Sequence, residues 1–463
     1  MKNFKLIFSY LFLFVYSTCF SQSEWKKADE ILQYIKPPIF PEKVYNITNY
    51  ASTDELKKDI RNALHKAIDE CSLNGGGKVF IPKGEYYCGG PIHLKSNVNL
   101  HLDDSVVIKF STNPDDYLPV VFTRWEGVEC YNYSPLIYAI NQTNIAITGN
   151  GIFDGQADST NWWKWNGNKR YGWKPGMPSQ RDSSSRPKLM KMNNDGVPVE
   201  KRIFGKGYYL RPNFVQFINC KNILLENITI TNSPMWIIHP VLCENVTIRN
   251  VKTISDGPNT DGCDPESCKN VLIDGCYFDN GDDCIAIKSG RNLDGRRINI
   301  PSENIIVRNS IMRDGHGGVS IGSEISGGCR NVFIENCKMD SPNLDRALRI
   351  KSNSYRGGIV ENIYMRNVEV GEVSNAVIRL NMLYDPSEGN NGKYPPTFRN
   401  IKVEKVTSKK SEYALEFIGL EESPIRNVQI IDCNFDGVKK ENYLKNVEEL
   451  KLINVIINGE KIE

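Results

Sequence analysis

Acidic, basic and histidine side chains recur in four short motifs in the second half of the chain. In order, the motifs are Asn259-Thr-Asp261, Gly281-Asp-Asp283, Gly315-His-Gly317 and Arg349-Ile-Lys351. Hydrolysis of a glycosidic bond requires two carboxyl groups, one protonated and one ionised. Crowding of like charges raises the pKa of one carboxyl and makes it an acid. If the motifs meet in the fold, they predict a carbohydrate-cleaving site that contains Asp261, Asp282, Asp283 and His316.

Arg349 and Lys351 stand two residues apart, so on a strand their side chains point to the same face. Two such cations can hold the carboxylate of an acidic sugar. Each motif has an ordinary structural explanation when it stands alone. Asp-Asp beside Gly is common in turns and calcium loops, Gly-His-Gly in turns, and Arg-x-Lys on solvated strands. The prediction therefore depends on all four motifs occurring in order on one repeat.

An asparagine-headed repeat carries these motifs. In each copy, an Asn precedes alternating apolar residues that are rich in Val and Ile. The clear copies begin at Asn222, Asn245, Asn270, Asn304, Asn331 and Asn362, and weaker copies begin at Asn400, Asn427 and Asn446. Steps of 19 to 38 residues between copies are typical of a solenoid.

The repeat predicts an all-β fold, a parallel β-helix. Period-two alternation indicates a strand in each copy, and the copies are too far apart for hairpins. Helical periodicity between copies is absent from the sequence, so a coil of short strands and turns remains. Asn tolerates the backbone angles of such turns, and stacked Asn side chains can hydrogen-bond along the coil. Successive coils lie about 4.8 Å apart, so matching positions of the four motifs become neighbours.

A helix is expected to cover the open N-terminal end of the solenoid. Ser52-Thr-Asp-Glu55 is a capping-box start. The apolar residues that follow it have the spacing of an amphipathic helix: Leu56, Ile60, Leu64, Ile68 and Cys71.

The first residues have the pattern of a secretory signal peptide, with Lys2 and Lys5 before an apolar run and small residues around Ser21. We expect cleavage after Ser21; acylation of Cys19 as a lipoprotein is disfavoured by the Thr before it. The predicted organisation is a signal peptide at 1–21, an N-terminal extension at 22–50 and a β-helix at 51–463. The mature protein is expected to be exported, either periplasmic or secreted.

The composition excludes several classes of protein. The chain has 463 residues, of which 40% are hydrophobic and 24% are charged, and its net charge is +2. These values exclude wholesale disorder and give no support for a nucleic-acid partner. No stretch after the signal peptide has the length and polarity of a membrane span. We expect a monomer.

Twelve cysteines follow the signal peptide, and four of them cluster in the sequence: Cys263, Cys268, Cys276 and Cys284. Their spacing is not the paired C-x-x-C of a zinc site, and no histidine lies nearby. This favours burial or pairing in the core. No metal and no cofactor are expected.

A long insertion at 156–213 interrupts the rhythm of the repeat. It contains the aromatic cluster Trp162-Trp-Lys-Trp165, which can either stack on sugars or pack the loop onto the coil. We hypothesise that the insertion closes one end of the substrate cleft.

Together, the four motifs resemble the signature of glycoside hydrolase family 28, the polygalacturonases, and the resemblance covers the chain from about residue 45 onward. The strings 259–270 and 280–297 resemble bacterial exo-acting members most. The resemblance implies a single-stranded, right-handed parallel β-helix of the pectin lyase-like type. It also implies an inverting hydrolase that cleaves α-1,4-galacturonosyl linkages of polygalacturonate, with an acidic polysaccharide or oligosaccharide as its substrate.

The resemblance further implies a role for each site residue. These roles are a general acid, Asp282; water-activating carboxylates, Asp261 and Asp283; a histidine that orients the acid, His316; carboxylate-binding cations, Arg349 and Lys351; and residues that line the sugar site, Asn259, Asp264 and Tyr384. Because the family inverts configuration, its acid and base carboxylates are expected about 6.5–9.5 Å apart.

The sequence departs from the family pattern near Cys284. Ser310 and Ile311 stand where many relatives have its disulfide partner. His316 favours a galacturonate–galacturonate linkage over the alternative of a rhamnogalacturonan or other branched-pectin substrate. A calcium-dependent pectate lyase and a non-catalytic carbohydrate-binding β-helix are the alternatives of other classes.

Overall fold

Short parallel strands form three ladders that wind around one apolar core. The computed structural model describes residues 24–385 and 391–462, and the predicted signal peptide lies outside them. The architecture is a right-handed parallel β-helix, which confirms the predicted fold class. Among the described residues, no helix is long and apolar enough to cross a membrane.

Asparagines stack along one corner of the coil. The residue that heads each predicted copy has a positive φ, for example 54° at Asn222 and 60° at Asn304. Asn304 Nδ2 donates to Asn270 Oδ1 at 3.0 Å, and equivalent bonds continue from Asn97 to Asn427. Asn reaches this left-handed region at low cost and supplies both a donor and an acceptor. The predicted ladder is confirmed.

The first ladder begins at the asparagine corner, and its inward side chains are Val, Ile and Leu. Its strands are Val44–Asn46, Gly77–Ile81, Val98–Leu102, Thr143–Gly149, Lys221–Glu226, Glu244–Arg249, Lys269–Asp274, Ser302–Arg308, Cys329–Glu335, Ile359–Glu372, Thr397–Lys410, Ile425–Ile431 and Val447–Ile453. The second ladder comprises Glu85–Cys88, Val107–Phe110, Ile152–Asp154, Thr229–Thr231, Lys252–Ser255, Tyr277–Asn280, Ile311–Asp314, Lys338–Met339, Asn434–Phe435 and Val455–Ile457. The later halves of the long strands Ile359–Glu372 and Thr397–Lys410 also belong to it. Glu460–Ile462 pairs antiparallel with its last strand.

The third ladder carries Arg349 and Lys351, and the other three motifs come just before its strands or bridges. Its strands are Ile92–His93, Ile137–Ile140, Val215–Ile218, Ile238–Val241, Ile285–Ile287, Val319–Ile321, Arg346–Lys351, Ala376–Asn381, Tyr413–Ile418 and Tyr443–Lys445. The coil that contains Cys263 joins this ladder through single bridges. In register, Ser320 lies opposite Arg349, and Arg349 lies opposite Arg379.

The predicted capping helix is two helices, Thr53–Lys58 and Arg61–Leu73. The capping box at Ser52 is present, but the expectation of one continuous helix is wrong because Asp59 is extended. The Asp59 carboxylate accepts the backbone N–H groups of Arg61 and Gly89. This contact with the first coil breaks the helix that local periodicity predicts.

A helix over residues 24–34 packs against the outside of the first ladder. Trp25 is 6% exposed, and its ring meets that of Phe333 edge-on at 5.6 Å. Its Nε1 donates to Glu404 at 3.1 Å, and the Arg366 guanidinium lies 3.8 Å above the ring. The segment expected as an extension therefore contributes a docked helix and, at Val44–Asn46, a strand of the coil.

A β-hairpin of Val121–Trp125 and Val128–Asn132 lies across the N-terminal strands of the third ladder. Tyr138 donates to the carbonyl of Phe122 at 2.7 Å, and Gln216 Nε2 donates to that of Arg124 at 2.8 Å. The hairpin turns at Glu126-Gly127, both with positive φ. It covers the outward face of the coils that precede the motifs.

The long insertion packs onto this end of the coil. Its helical segments are Trp163–Asn166, Lys169–Tyr171, Arg186–Asn194 and Val199–Lys201. Besides these and the N-terminal helices above, the described residues form short helical segments at Ile47–Asn49, Pro114–Tyr117 and Asn292–Ile298. Trp162 is 1% exposed and meets Trp165 edge-on at 5.0 Å. Trp163 Nε1 donates to the Ser233 carbonyl at 2.9 Å. Packing, rather than sugar stacking, accounts for the aromatic cluster.

The twelve cysteines of the described chain are buried and form no disulfide. Cys284 Sγ donates to the Asp314 carbonyl at 3.1 Å. Cys220, Cys243 and Cys268 each stand two residues before a ladder asparagine, in successive coils. Burial, the main expectation from the sequence, is what the structure shows.

Replacing Trp25 with alanine should lower the free energy of unfolding by about 3 kcal/mol. The substitution removes a large ring that is buried between the helix and the first ladder. Tyr34→Ala is the matched control, since Tyr34 is 71% exposed on the same helix, and its effect should stay within about 0.5 kcal/mol. Urea unfolding measures both. Equal losses in the two variants would show that the helix is not docked as described.

Candidate active site

Asp282 and His316 come from adjacent coils and form a hydrogen-bonded pair. Nδ1 of His316 lies 2.9 Å from Oδ1 of Asp282. The Asp282 charge and this hydrogen bond raise the pKa of His316 to about 9. Burial acts to raise the pKa of Asp282, but His316 outweighs burial and holds that pKa below its usual value. At neutral pH the pair thus holds one proton, on the imidazole.

Asp283 is 1% exposed and is surrounded by donors. Lys351 Nζ lies 2.6 Å from its Oδ2, and Arg349 and the Ser320 hydroxyl donate to its Oδ1 at 3.2 and 2.8 Å. Although burial acts to raise the pKa of Asp283, the cations of Lys351 and Arg349 hold it well below the usual value. The two cations therefore favour the ionised form of Asp283.

Asp261 is the carboxyl whose pKa is raised. Burial is the main cause, and the charges of Asp282 and Asp264 add to it. Its nearest cation is Lys288, whose Nζ lies 3.7 Å from Oδ2, while Oδ1 is buried without a hydrogen-bond partner. Crowding thus acts as the sequence predicts, but it raises the pKa of Asp261 rather than that of Asp282.

Asp264 is 0% exposed, so the expectation that it lines the sugar site is wrong. Its Oδ1 lies 3.4 Å from Nζ of Lys288, and burial raises its pKa well above the usual value. Lys288 also lies 3.4 Å from Glu324 Oε2, and its Nζ is 4.3 Å from the centre of the Trp236 ring. Asp264 therefore forms a buried ion pair with Lys288 and does not line the pocket.

The three candidate carboxylates lie close together. One carboxylate oxygen from each of Asp261, Asp282 and Asp283 lies within 4.8 Å of the other two. Asp282 and Asp283 are neighbours in the sequence, and Asp261 belongs to the preceding coil. Two oxygens within 4.8 Å of each other admit one water about 2.8 Å from each. The separation of about 6.5–9.5 Å between the acid and base carboxyl groups stays a prediction.

The long insertion fixes Asn259 at the edge of this cluster. Arg211 Nη2 and Asn166 Nδ2 donate to Asn259 Oδ1 at 2.8 and 3.2 Å, and Asn259 Nδ2 lies 3.5 Å from Asp282 Oδ2. Arg211 is fully buried and also donates to the carbonyls of Pro234 and Pro258. The insertion therefore orients a predicted site residue.

Glycine is required in the Gly-His-Gly motif. A Cβ on Gly317 would lie 2.9 Å from Asp283 Oδ1 and closer still to the Ser320 hydroxyl. A side chain there would displace the donors that hold Asp283.

Tyr384 stands beside the two cations, as expected for a residue that lines the site. Its ring centre lies 5.5 Å from the Arg349 guanidinium and 5.2 Å from Lys351 Nζ. The structure thus assembles eight of the nine predicted residues around one cleft and buries the ninth, Asp264, behind it.

A pocket of about 140 Å³ opens over the carboxylates. Residues that sequence reasoning missed complete its wall: Glu126, Arg186, Trp236, Lys288, Arg291, Glu324, Arg356 and Asp385. Glu126 comes from the hairpin turn, and its Oε2 contacts Arg186 at 2.7 Å and Arg291 at 3.2 Å. Lys288 lies opposite Glu266 of the preceding coil.

Three groups of side chains meet at this pocket: the pair of Asp282 and His316, the buried carboxyls of Asp261 and Asp283, and the cations of Arg349 and Lys351. The sequence profile of "Glycosyl hydrolases family 28" matches residues 204–454, more than half of the chain. The chain belongs to glycosyl hydrolases family 28. This confirms the expectation of a glycoside hydrolase on a parallel β-helix.

Named relatives agree with this assignment. A Vitis vinifera protein named "Probable polygalacturonase" is 30% identical over 66% of this chain and 56% of its own length. The "Exo-poly-alpha-D-galacturonosidase" of Dickeya chrysanthemi is 28% identical over 85% of this chain and 67% of its own. The crystal structure of an exopolygalacturonase from Thermotoga maritima is 46% identical and superposes with a TM-score of 0.90, over 95% of this chain and 97% of the other.

His316 should titrate at about pH 9 in the folded protein, well above its ordinary value near 6.5. NMR of the imidazole measures this, and Asp282→Asn should return the midpoint toward the ordinary value. Because the folded-state pKa is the higher one, the stability that this pair contributes is complete below about pH 6.5 and is lost as the pH rises through about 9. A midpoint near 6.5 in the unmodified protein would contradict the pairing.

Proposed function

We propose that this family 28 enzyme hydrolyses α-1,4-galacturonosyl linkages of polygalacturonate from a chain end, with inversion of configuration. The observation that carries the proposal is the cluster of Asp261, Asp282 and Asp283 between an imidazolium and a pair of fixed cations. The names of the Dickeya chrysanthemi and Thermotoga maritima relatives, both exo-acting on galacturonate polymers, support the substrate and the mode of attack.

Asp282 is the proposed general acid. Its side chain is 19% exposed, whereas those of Asp261 and Asp283 are 4% and 1% exposed, so it is the one that reaches an incoming glycosidic oxygen. As the bond from the anomeric carbon to that oxygen breaks, Asp282 passes a proton to the leaving oxygen. The imidazolium of His316 supplies that proton and becomes neutral.

Asp261 and Asp283 are proposed to activate the water. Asp283 stays ionised and accepts one hydrogen bond, which orients the water. Asp261 has the raised pKa and is therefore the stronger base once ionised. The water oxygen adds to the anomeric carbon from the face opposite the leaving oxygen, and its proton moves to Asp261.

Arg349 and Lys351 are proposed to bind the substrate carboxylate. Both already hold Asp283, so a galacturonate carboxylate would share donors that the fold has fixed in place. Asn259 and Tyr384 complete the contact surface.

The arrangement of cations argues against a calcium-dependent lyase. Lys351 lies 2.6 Å from Asp283 and Lys288 lies 3.7 Å from Asp261, so two carboxylates of the cluster already have ammonium partners. A divalent cation at this distance from two ammonium groups is repelled.

Closure of one end of the cleft supports action from a chain end. The hairpin covers the outward face of the third ladder as far as Ile238–Val241, where Arg124 reaches across to Glu266 at 3.1 Å. Beyond it, Trp236 lines the pocket, and Arg211 and Asn166 hold Asn259 at its edge. A chain can therefore place only its terminal sugar over the carboxylates, which predicts a monosaccharide as the first product. Export of the enzyme, periplasmic or secreted, fits a polymeric substrate outside the cell.

Polygalacturonate should yield saturated monosaccharide from the earliest time point, with and without a calcium chelator. Chromatography with ultraviolet detection measures this, since a lyase forms an absorbing, unsaturated end. Proton NMR of the first product reads its anomeric configuration. Unsaturated products lost on chelation would establish a lyase, early mixed oligomers would establish endo action, and retained configuration would contradict the proposed attack by water.

Asp282→Asn should lower kcat at least about a thousandfold while the affinity for galacturonate oligomers persists, because the amide keeps the size but donates no acidic proton. Asp104→Asn is the control, since Asp104 is an exposed carboxylate whose partner is Asn150. Initial rates and calorimetric binding measure the two effects. Activity within tenfold of the unmodified enzyme would remove Asp282 from the acid role.

A further inference from the structure

Two carboxyl groups at the back of the pocket have a single ammonium group between them. Nζ of Lys288 lies 3.7 Å from Asp261 Oδ2 and 3.4 Å from Asp264 Oδ1, and the lysine side chain is 3% exposed. Among the residues that the structure describes, no other cation lies within salt-bridge distance of either carboxyl. One positive charge can balance only one of the two carboxylates, and burying the other without a partner is costly.

The charges around this group do not supply the missing balance, because each has a partner of its own. Glu324 also lies 3.4 Å from Lys288, but Arg291 holds its other oxygen at 3.2 Å. The remaining titratable neighbours are paired or neutral: Asp282 pairs with His316, Asp283 pairs with Lys351, His239 pairs with Glu266, and burial raises the pKa of the Cys263 thiol. Lys288 is therefore the cation left for Asp261 and Asp264.

The oxygens of these two carboxyls lack hydrogen-bond donors. Asp261 Oδ1 and both oxygens of Asp264 are buried and accept no hydrogen bond from any donor group of the described residues. The two carboxyls lie within hydrogen-bond reach of each other. Carboxylates carry no hydrogen, so a bond between them forms only when one of the two is protonated. Burial raises the pKa of both groups, which favours a proton between them.

The backbone fixes this arrangement from both sides. The N–H of Asp264 donates to the carbonyl of Ile238 in the preceding coil at 2.7 Å, and the N–H of Lys288 in the following coil donates to the carbonyl of Pro265 at 2.9 Å. Pro265 directly follows Asp264 in the chain. The coils therefore keep the ammonium group opposite the two carboxyls.

We propose that Asp264 and Lys288 are positioning residues for the catalytic base: Asp261 and Asp264 share one proton, and Lys288 balances the negative charge that remains on the pair. The shared proton holds the buried oxygen of Asp261 and leaves its other oxygen for the water. This inference rests on the proposed function, in which Asp261 takes the proton of the attacking water. After that transfer the pair holds two protons and is inactive as a base until it loses one.

The acid limb of the pH profile, where kcat/KM on galacturonate oligomers falls as the pH is lowered, reports when the pair takes up its second proton. Asp264→Leu keeps the size but removes the hydrogen-bond donor, so the limb should move up by about one pH unit. Asp264→Asn keeps a donor and is neutral, so its limb should stay within about half a pH unit of the original. If Asp264 were fully ionised in the working enzyme, Asp264→Asn would remove a like charge and move the limb down by about one unit.

Lys288→Met should also move the acid limb up by about one pH unit, because it removes the cation that favours the negative charge on the pair. Lys402→Met is the matched control. Lys402 is 9% exposed and pairs with Glu24 and Glu404 on the first ladder, so its loss should leave the limb in place. An unmoved limb in Lys288→Met, or an equal movement in the two variants, would contradict the role of Lys288.

Infrared difference spectroscopy tests the shared proton without substrate. At neutral pH, the unmodified protein should show the C=O absorption of a protonated carboxyl that Asp264→Asn loses. This measurement decides the proposal if Asp264→Leu or Lys288→Met does not fold. No such loss, a limb that moves down in Asp264→Asn, or a limb that stays in place in Asp264→Leu would each overturn the proposal. Failure of the proposed function gives a different result, because the unmodified enzyme then turns over no galacturonate oligomer and gives no pH profile, while the infrared comparison still reports the shared proton.

Discussion

The hydrogen-bonded ladder of asparagines is the constraint on which the rest of the structure depends. Each ladder asparagine adopts a left-handed backbone and binds the one above it, so every coil begins at the same corner and in the same phase. A slip of one residue would turn outward side chains into the core. The number of residues between successive ladder asparagines varies widely, but each coil still starts at the same corner. Residues distant in sequence, such as Asp283 and Arg349, therefore come within hydrogen-bond distance.

Fixed coils make it possible to place many charges in a small buried volume. A buried charge is costly unless it is paired, and Asp261, Asp282 and Asp283 each have a charged partner from a coil one or two steps along. The pairing is uneven: two cations hold Asp283, while Asp261 has one at the longer distance of 3.7 Å. This unevenness gives the aspartate side chains different pKa values. Different pKa values are needed if one carboxyl group is to act as an acid and another as a base.

The sequence predicts what the repeat determines. Strand alternation and ladder asparagines are local patterns, so the fold, the outward face and the convergence of the four motifs follow from them. Asp59 and Asp264 could not be placed in this way, since tertiary contacts decide both the break in the capping helix and the burial of a carboxylate behind Lys288. The hairpin had a recognisable signal in Glu126-Gly127 between alternating residues, which is a two-residue turn with positive φ at both positions. The cations Arg291 and Arg356 had no signal, because they lie beyond the strands, where the repeat sets no position.

Docking of the N-terminal helix also constrains the order in which the chain can fold. Trp25 contacts Phe333 and Glu404, and the hydrogen bond to Glu404 joins residues 379 positions apart in the chain. The coils of a solenoid form from contacts between neighbours, whereas closing this loop requires coils that are synthesised last. This helix precedes the coils in the chain, yet its apolar face stays uncovered until the coil that carries Glu404 is complete. A nascent chain of this protein has to keep that face from other partners until those coils have formed.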